Sequence, residues 1–538
     1  MRGSREPGAG SREPRAGWRT VTTERRLLVV VRTTATLTRL LDVIALVTAD
    51  RRVQVVFTVD DRNGAMLATG MRSVLDSLDA LVVPWADAVD GAFDLVLAAS
   101  ENDDLGDLAA PVIVLPHGAG HLKFYPGTTT ISGLTPDRVR DLTTSTTFAL
   151  SHPDQLQRLA AVHPPAADKA RVVGDPALGR MLASSHRAHS YRRGLDATGR
   201  QLVVLASTWG PDSLLGSWPD LPERLLAELP VDQYRVVAVL HPGIWAHGSW
   251  QVRAWWSRAT EYGLRILPPE DGWQAALLGA SCVLTDFGSL GLYAAALDRP
   301  VLLSPRSSPS TVPGSPAEVL AGLAPRLDPA SGLRDQIDAT IRTHVSGRFE
   351  QLSASAVQEP WRTAERLRSL LYERMSLAEP AHAAEFPPVP VPAVRHSGPT
   401  AIRASATATD ELVTLVRYPS IAGADVPESL GHRHLVVELD RARLDQAGAA
   451  DVLIVHADER AEAAALLRRW PHATMVAARI GPGTCWIHTR ESAVVLHGHS
   501  GIDTTALASW AYVRIPRIPA QDRLRLGDRV MDVRAEAC

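Results

Sequence analysis

Ala280-Ser-Cys-Val-Leu-Thr-Asp-Phe-Gly-Ser-Leu-Gly-Leu-Tyr-Ala-Ala-Ala-Leu-Asp-Arg-Pro-Val-Leu-Leu303 is the stretch on which the fold of this 538-residue chain turns. A short apolar run ends at Thr285-Asp286, and the small-residue turn Gly288-Ser289 follows. A helical segment opens near Ser289, and a second apolar run starts after Arg299-Pro300. Continuous apolar strands joined by a helix are what a parallel sheet covered on both faces requires. At the turn, the unpaired N–H groups of the helix, its dipole and the Ser289 hydroxyl favour a phosphate. A plain helix cap would account for Ser289 but not for the Thr-Asp that precedes it.

The same alternation extends outward in both directions. Upstream lie apolar runs at Leu202–Ala206, Tyr234–Leu240 and Leu264–Leu267, with Leu221–Leu229 and Trp273–Leu278 as covering helices. An earlier set comprises Leu27–Val31, Val53–Thr58, Ala80–Pro84, Phe93–Ala98, Val112–Leu115, Phe148–Ser151 and Arg171–Val173. One of its spacers, Ala65–Leu78, places Met66, Leu67, Met71, Val74 and Leu78 on one helical face. Polar Ala183–Arg200 separates the sets. Two parallel α/β units in succession imply two Rossmann-like domains, with a cleft between the carboxyl edges of their sheets. A charged amphipathic helix spans 354–378, and Phe386-Pro-Pro-Val-Pro-Val-Pro392 marks an extended linker. Runs at Leu412–Val416, Leu435–Glu438, Val452–His456, Thr474–Ala478 and Ala493–Leu496 suggest a third, small C-terminal α/β domain. The divisions are therefore a tail at 1–22, domains at 23–182 and 198–378, a linker at 380–400, and an accessory domain of unassigned role at 401–538.

Composition narrows the chemistry. A net charge of −3 and the absence of any basic excess argue against a nucleic-acid partner. The only lysines are Lys123 and Lys169, and neither stands in a Gly-Lys-Ser/Thr or V-A-I-K setting, which excludes P-loop and kinase phosphate binding. Cys282, Cys485 and Cys538 form no pair spaced for a disulfide framework or zinc ribbon. The tail repeats Gly-Ser-Arg-Glu-Pro and has no apolar core of a signal peptide, so a cytoplasmic location is the expectation.

Three further strand ends carry chemistry. Leu115-Pro-His-Gly-Ala-Gly-His-Leu-Lys123 sets His117, which can take a proton near neutrality, beside Gly118 and Gly120, which permit close approach of a ligand. His121 and Lys123 share that loop. Val203-Val-Leu-Ala-Ser-Thr-Trp-Gly-Pro211 ends with the Ser207 and Thr208 hydroxyls, suited either to an anion or to capping the next helix. Val239-Leu-His-Pro-Gly243 ends with His241, again a cap or a site residue.

The collinear order of His117-Gly…Lys123, Thr208, His241-Pro242 and Thr285-Asp286-x-x-Ser289…Arg299-Pro300 resembles the CDP-glycerol glycerophosphotransferase family of teichoic-acid synthases. That resemblance covers about residues 25–345 and the helix to 378. It implies the GT-B glycosyltransferase fold: an acceptor domain, then a nucleotide-donor domain. It further implies transfer of a glycerol-phosphate, polyol-phosphate or sugar unit from a nucleotide-diphosphate donor to a hydroxyl acceptor, which in this family is often lipid-linked. In those terms His117 resembles the general base and His241 the histidine supporting the donor phosphates. Gly118, Gly120, Thr208, Thr285, Asp286, Gly288 and Ser289 fall in the phosphate-binding segments. With no Asp-x-Asp at these strand ends, no metal or other cofactor is expected, and the donor enters as substrate. Membrane contact would be peripheral at most, at the inner face.

Two departures stand out. The family's Arg just after the second-domain Thr is missing from Thr208-Trp209-Gly210-Pro211, and Phe287-Gly288 replaces Tyr-Ser. They leave open a non-catalytic nucleotide-sugar-binding scaffold, and a UDP-sugar 2-epimerase-like isomerase is a further reading of the same fold. Trp209, Trp218, Trp245, Trp250, Trp255, Trp256 and Trp273 cluster in the second domain, suited to packing, sugar stacking or a lipid interface. In the last domain His488, His497 and His499 near Cys485 and Asp503 are more readily solvated side chains than a metal site.

Overall fold

The computed structural model describes residues 21–59, 71–125, 127–142, 146–306, 310–393, 398–421 and 431–538. The proposed tail, apart from residues 21 and 22, and the Met66 and Leu67 part of the 65–78 helix lie outside them.

The first domain holds β1 (Arg25–Val31), β2 (Val53–Val59), β3 (Val82–Val83), β4 (Leu95–Ala98), β5 (Val112–Val114), β6 (Thr146–Leu150) and β7 (Arg171–Val172). They form one sheet in the order β3-β2-β1-β4-β5-β6-β7, all parallel, with Leu27 opposite Val55 and Leu95. The second domain repeats the plan with β8 (Gln201–Ser207), β9 (Tyr234–Leu240), β10 (Arg265–Leu267), β11 (Cys282–Thr285) and β12 (Val301–Leu303), ordered β10-β9-β8-β11-β12. Central strands such as β1 and β8 are buried along nearly their whole length, because helices cover both faces. In each sheet the order reverses beside the first strand, and the reversal leaves a crevice at the strands' carboxyl ends.

The chain crosses between the domains more than once. The helix Pro176–Ala183 of the first crossing sends Leu178 and Met181 into the core of the second domain. The polar 183–200 stretch, which lacks sequence periodicity, nonetheless folds as the helix Ala188–Gly194, anchored by a fully buried Tyr191. The single helix foreseen at 354–378 is two, Glu350–Ala356 and Thr363–Arg374, broken before Pro360. The second returns to the first domain, burying Leu367, Leu371 and Tyr372 against the β1–β2 side of its sheet. The Pro-rich segment is extended but not free. Phe386 and Val389 are buried, and the Pro387 and Pro388 carbonyls accept from Arg180.

The third domain corrects the α/β expectation. β13 (Ala401–Ala408), β14 (Leu412–Pro419), β15 (His432–Glu438), β16 (Val452–Val455), β17 (Met475–Gly481), β18 (Thr484–Thr489), β19 (Ala493–Gly498), β20 (Gln521–Leu526) and β21 (Arg529–Ala537) close into a barrel of mixed strand direction. The helix Thr504–Arg514 packs against β13 to β18, and its residues 505–511 are all buried. Closure removes the exposed sheet edges, and the helix supplies the core that a small barrel needs. The barrel meets the second domain at Val231-Asp232, just before β9. There Arg417, 1% exposed, pairs with both Asp232 and Asp503, at 2.5 and 2.7 Å. That contact lies at the amino edge of the sheet, opposite the cleft. Among the described residues no helix is long and apolar enough to cross a membrane.

Candidate active site

Five strand ends from two sheets converge on one cleft. β4 delivers Glu101 and β5 delivers the loop with His117, Gly118, Gly120, His121 and Lys123. β8, β9 and β11 deliver Thr208, His241 and the run Thr285 to Leu290. All nine residues picked out from the sequence as catalytic or phosphate-binding therefore line a single cavity, and among the described residues no lining residue comes from beyond Tyr293. Thr208 and Asp286 sit at the ends of adjacent β8 and β11, where the strand order reverses.

Two glycines make the convergence possible. A Cβ on Gly118 would lie 2.6 Å from the Ser289 hydroxyl oxygen, and one on Gly288 would lie 2.6 Å from the Thr208 methyl. The first contact joins the domains: the Ala119 amide donates to Ser289 Oγ at 3.2 Å. Nearby, backbone bonds Phe124 N to Ser310 O (2.7 Å) and Val312 N to Leu122 O (3.0 Å) tie the loop's far end to the second domain.

The carboxylate of Asp286 is largely committed. Its Oδ2 accepts from the Thr208 amide (2.9 Å), the Thr208 hydroxyl (3.0 Å) and the Leu214 amide (2.9 Å), so it shapes the Thr208 turn. Oδ1 is buried without a hydrogen-bond partner. Burial raises the Asp286 pKa from 3.8 against the pull of those hydrogen bonds and of Lys123. Thr285 is buried beneath the turn.

The imidazoles are neutral at pH 7. His117 faces the cleft from the loop; its pKa lies below 6.5 because the surrounding walls desolvate it, while the Glu101 carboxylate pulls the other way. His241 falls to about 3 by burial, with Lys123 and His117 adding to the effect. Its Nδ1 accepts the Gly243 amide at 2.9 Å, which places the proton on Nε2 as a donor. Capping and a site role thus coexist in one side chain. Burial also lowers the pKa of Lys123, with Asp286 opposing.

Two participants escaped the sequence reading. Glu101 is buried and fixed by the hydroxyls of Tyr125 (3.0 Å) and Thr135 (3.4 Å). Arg39 lies on the helix Thr34–Ile44, more than 70 residues from the loop it holds. Neither stands in a motif; a carboxylate just past an apolar strand was the only available signal. Of the tryptophans, Trp218 and Trp245 are buried and Trp250 is 79% exposed, while Trp273 lines the cleft and Trp209 lies 6.5 Å from the His241 ring. In the barrel Cys485 is buried, Asp503 pairs with Arg417, and no described group of three His, Cys, Asp or Glu could hold a metal ion.

Two α/β domains sharing a cleft at their carboxyl edges define a double-Rossmann protein. No family model and no curated protein matches the chain. Among solved structures it is similar to Anabaena HepE in complex with UDP and glucose, at 12% identity, over 65% of this chain and 99% of that one, with a TM-score of 0.38. It is likewise similar to UDP-GlcNAc 2-epimerase from Neisseria meningitidis bound to UDP-GlcNAc (13%, 65% and 99%, TM-score 0.41). A third is the wall teichoic acid polymerase TagF (10%, 66% and 90%, TM-score 0.46). At these values the likeness carries no functional weight, and function has to be read from the cleft.

Proposed function

We propose that the chain is a GT-B-type transferase that moves a glycerol-phosphate, polyol-phosphate or sugar unit from a nucleotide-activated donor to a hydroxyl acceptor without a metal ion. One observation carries this reading: an imidazole from the first sheet faces, across one cleft, a helix N-terminus and a second imidazole from the other sheet. The neutral His117 takes the proton of the acceptor hydroxyl as its oxygen attacks the transferred group. Negative charge then grows on the departing nucleotide phosphate. Lys123, the His241 Nε2–H and the first turn of the helix Ser289–Ala296 are the groups available to offset it. Lys123 thereby takes the part that an Arg beside Thr208 would otherwise play.

The test is to incubate the protein with CDP- and UDP-linked donors and candidate hydroxyl acceptors, and to measure release of CMP or UDP. Release that disappears in His117→Ala supports the reading; no release and no binding of any donor removes it. Side chains of Asp286 and Ser289 already engaged within the protein favour a second reading, a non-catalytic binder, which calorimetry would show as donor affinity without turnover.

A further inference from the structure

The loop bearing His117 is gripped from two sides. From behind, Arg39 donates through Nε to the Pro116 carbonyl at 3.1 Å and through a terminal nitrogen to the Gly118 carbonyl at 3.3 Å. Those are the carbonyls on either side of His117. The guanidinium is itself fixed by Asp175 through two contacts of 2.8 Å, and both partners are buried. Asp175 also caps the helix Pro176–Ala183 through the Leu178 amide. Its Oδ2 receives one more donor, the Tyr293 hydroxyl at 3.0 Å, which lies 3.5 Å from Arg39. Tyr293 belongs to the facing domain. It stands one turn along the helix from Ser289, the residue whose hydroxyl accepts the Ala119 amide. One face of a single second-domain helix therefore touches the His117 loop directly at Ser289 and through its clamp at Tyr293.

The geometry points to Arg39 and Tyr293 as positioning residues that set His117 in place when the second domain docks. Docking brings the Tyr293 hydroxyl to Asp175, Asp175 holds the Arg39 fork, and the fork holds the two carbonyls flanking the imidazole. A planar guanidinium reaches a carboxylate and two carbonyls at once, which an ammonium cannot do. The same helix opens at the donor site, so alignment of the base and closure over the donor become one event. What His117 does rests on the transfer reading; how it is held rests on geometry alone.

Hydrogen exchange on the full chain tests the clamp without any substrate. In Tyr293→Phe, which keeps the ring stacked on Trp273, and in Arg39→Lys, amides of residues 117–121 should exchange about tenfold faster, with barrel and β1 amides unchanged. In the nucleotide-release assay both variants should lose about tenfold in kcat with the KM for donor changed far less, since Arg39 and Tyr293 border the cavity but their polar atoms are committed to Asp175 and the loop carbonyls. Exchange over 117–121 as slow in Tyr293→Phe as in the unaltered protein would overturn the proposal. So would a parallel change in KM and melting temperature, which marks a general loss of structure. Should the unaltered protein release no nucleotide from any donor, the transfer reading falls, and the exchange comparison still decides whether Tyr293 governs the loop.

Discussion

Alanine at Gly118 strikes the point where the two domains touch beside the site. Its Cβ would lie 2.6 Å from Ser289 Oγ and 3.5 Å from Ser289 Cβ. The first distance is about 1 Å short of ordinary contact, and both atoms sit close to backbone, so loop and helix must separate. Forcing a methyl into such a contact costs about 1–3 kcal/mol. The Gly118 backbone is outside the left-handed region, so the stiffer unfolded chain returns about 0.4–1 kcal/mol. Ser289→Ala removes the offending oxygen and leaves the 3.5 Å contact, at the loss of the Ala119 hydrogen bond, worth about 1 kcal/mol. Gly118→Ala should therefore be partly rescued by Ser289→Ala, with a coupling of about 1–2 kcal/mol. The assay is a double-mutant cycle of urea midpoints followed by tryptophan fluorescence, to which Trp273, stacked on Tyr293, contributes from beside the same helix. Strictly additive losses would refute the domain contact.

Three further outcomes are expected. His117→Ala should lower kcat by about 10²–10⁴ while leaving the melting temperature unchanged, because the ring faces the cleft and not the core; an unaltered kcat would dismiss it as the base. His241 and His121 are both held near 3, by burial first, so between pH 3 and 6.5 their unfolded forms bind protons that the folded forms refuse. Stability is then full above pH 6.5 and falls on acidification, by up to about 1.4 kcal/mol per pH unit for each histidine, and His241→Asn should flatten the midpoint-against-pH curve measurably. Arg417→Met leaves the Asp232 and Asp503 carboxylates without their shared cation and should cost about 3–5 kcal/mol, seen as a lowered melting transition and faster proteolysis of the barrel; an unchanged melt would contradict its anchoring role.

All twelve strands of the two Rossmann-like sheets were legible; burial on both faces writes the central parallel strands as unbroken apolar runs, while the edge strands β3 and β7 are two residues long and partly exposed. In the barrel five strands, β14 to β17 and β19, were legible as apolar runs, but the closure and the other strands were not, for the opposite reason. β20, Gln521–Leu526, alternates exposed and buried, so Asp, Arg and Leu interleave and no run emerges. Its central helix is buried on every side and shows no amphipathic stripe. At the site, the strand-end residues were legible because topology dictates where such ends gather. Their division of labour was not. Arg39 meets Asp175 across 136 positions, and Asp286 finds the Leu214 amide across 72, pairings that only the folded chain defines.

The most direct check on the shared cleft is an amide-exchange footprint of the full chain with UDP and, separately, CDP. Slowed exchange should fall together on residues 117–123 of the first domain and 286–291 of the second. Protection confined to one domain, or absent at saturating nucleotide, would contradict a donor site built from both.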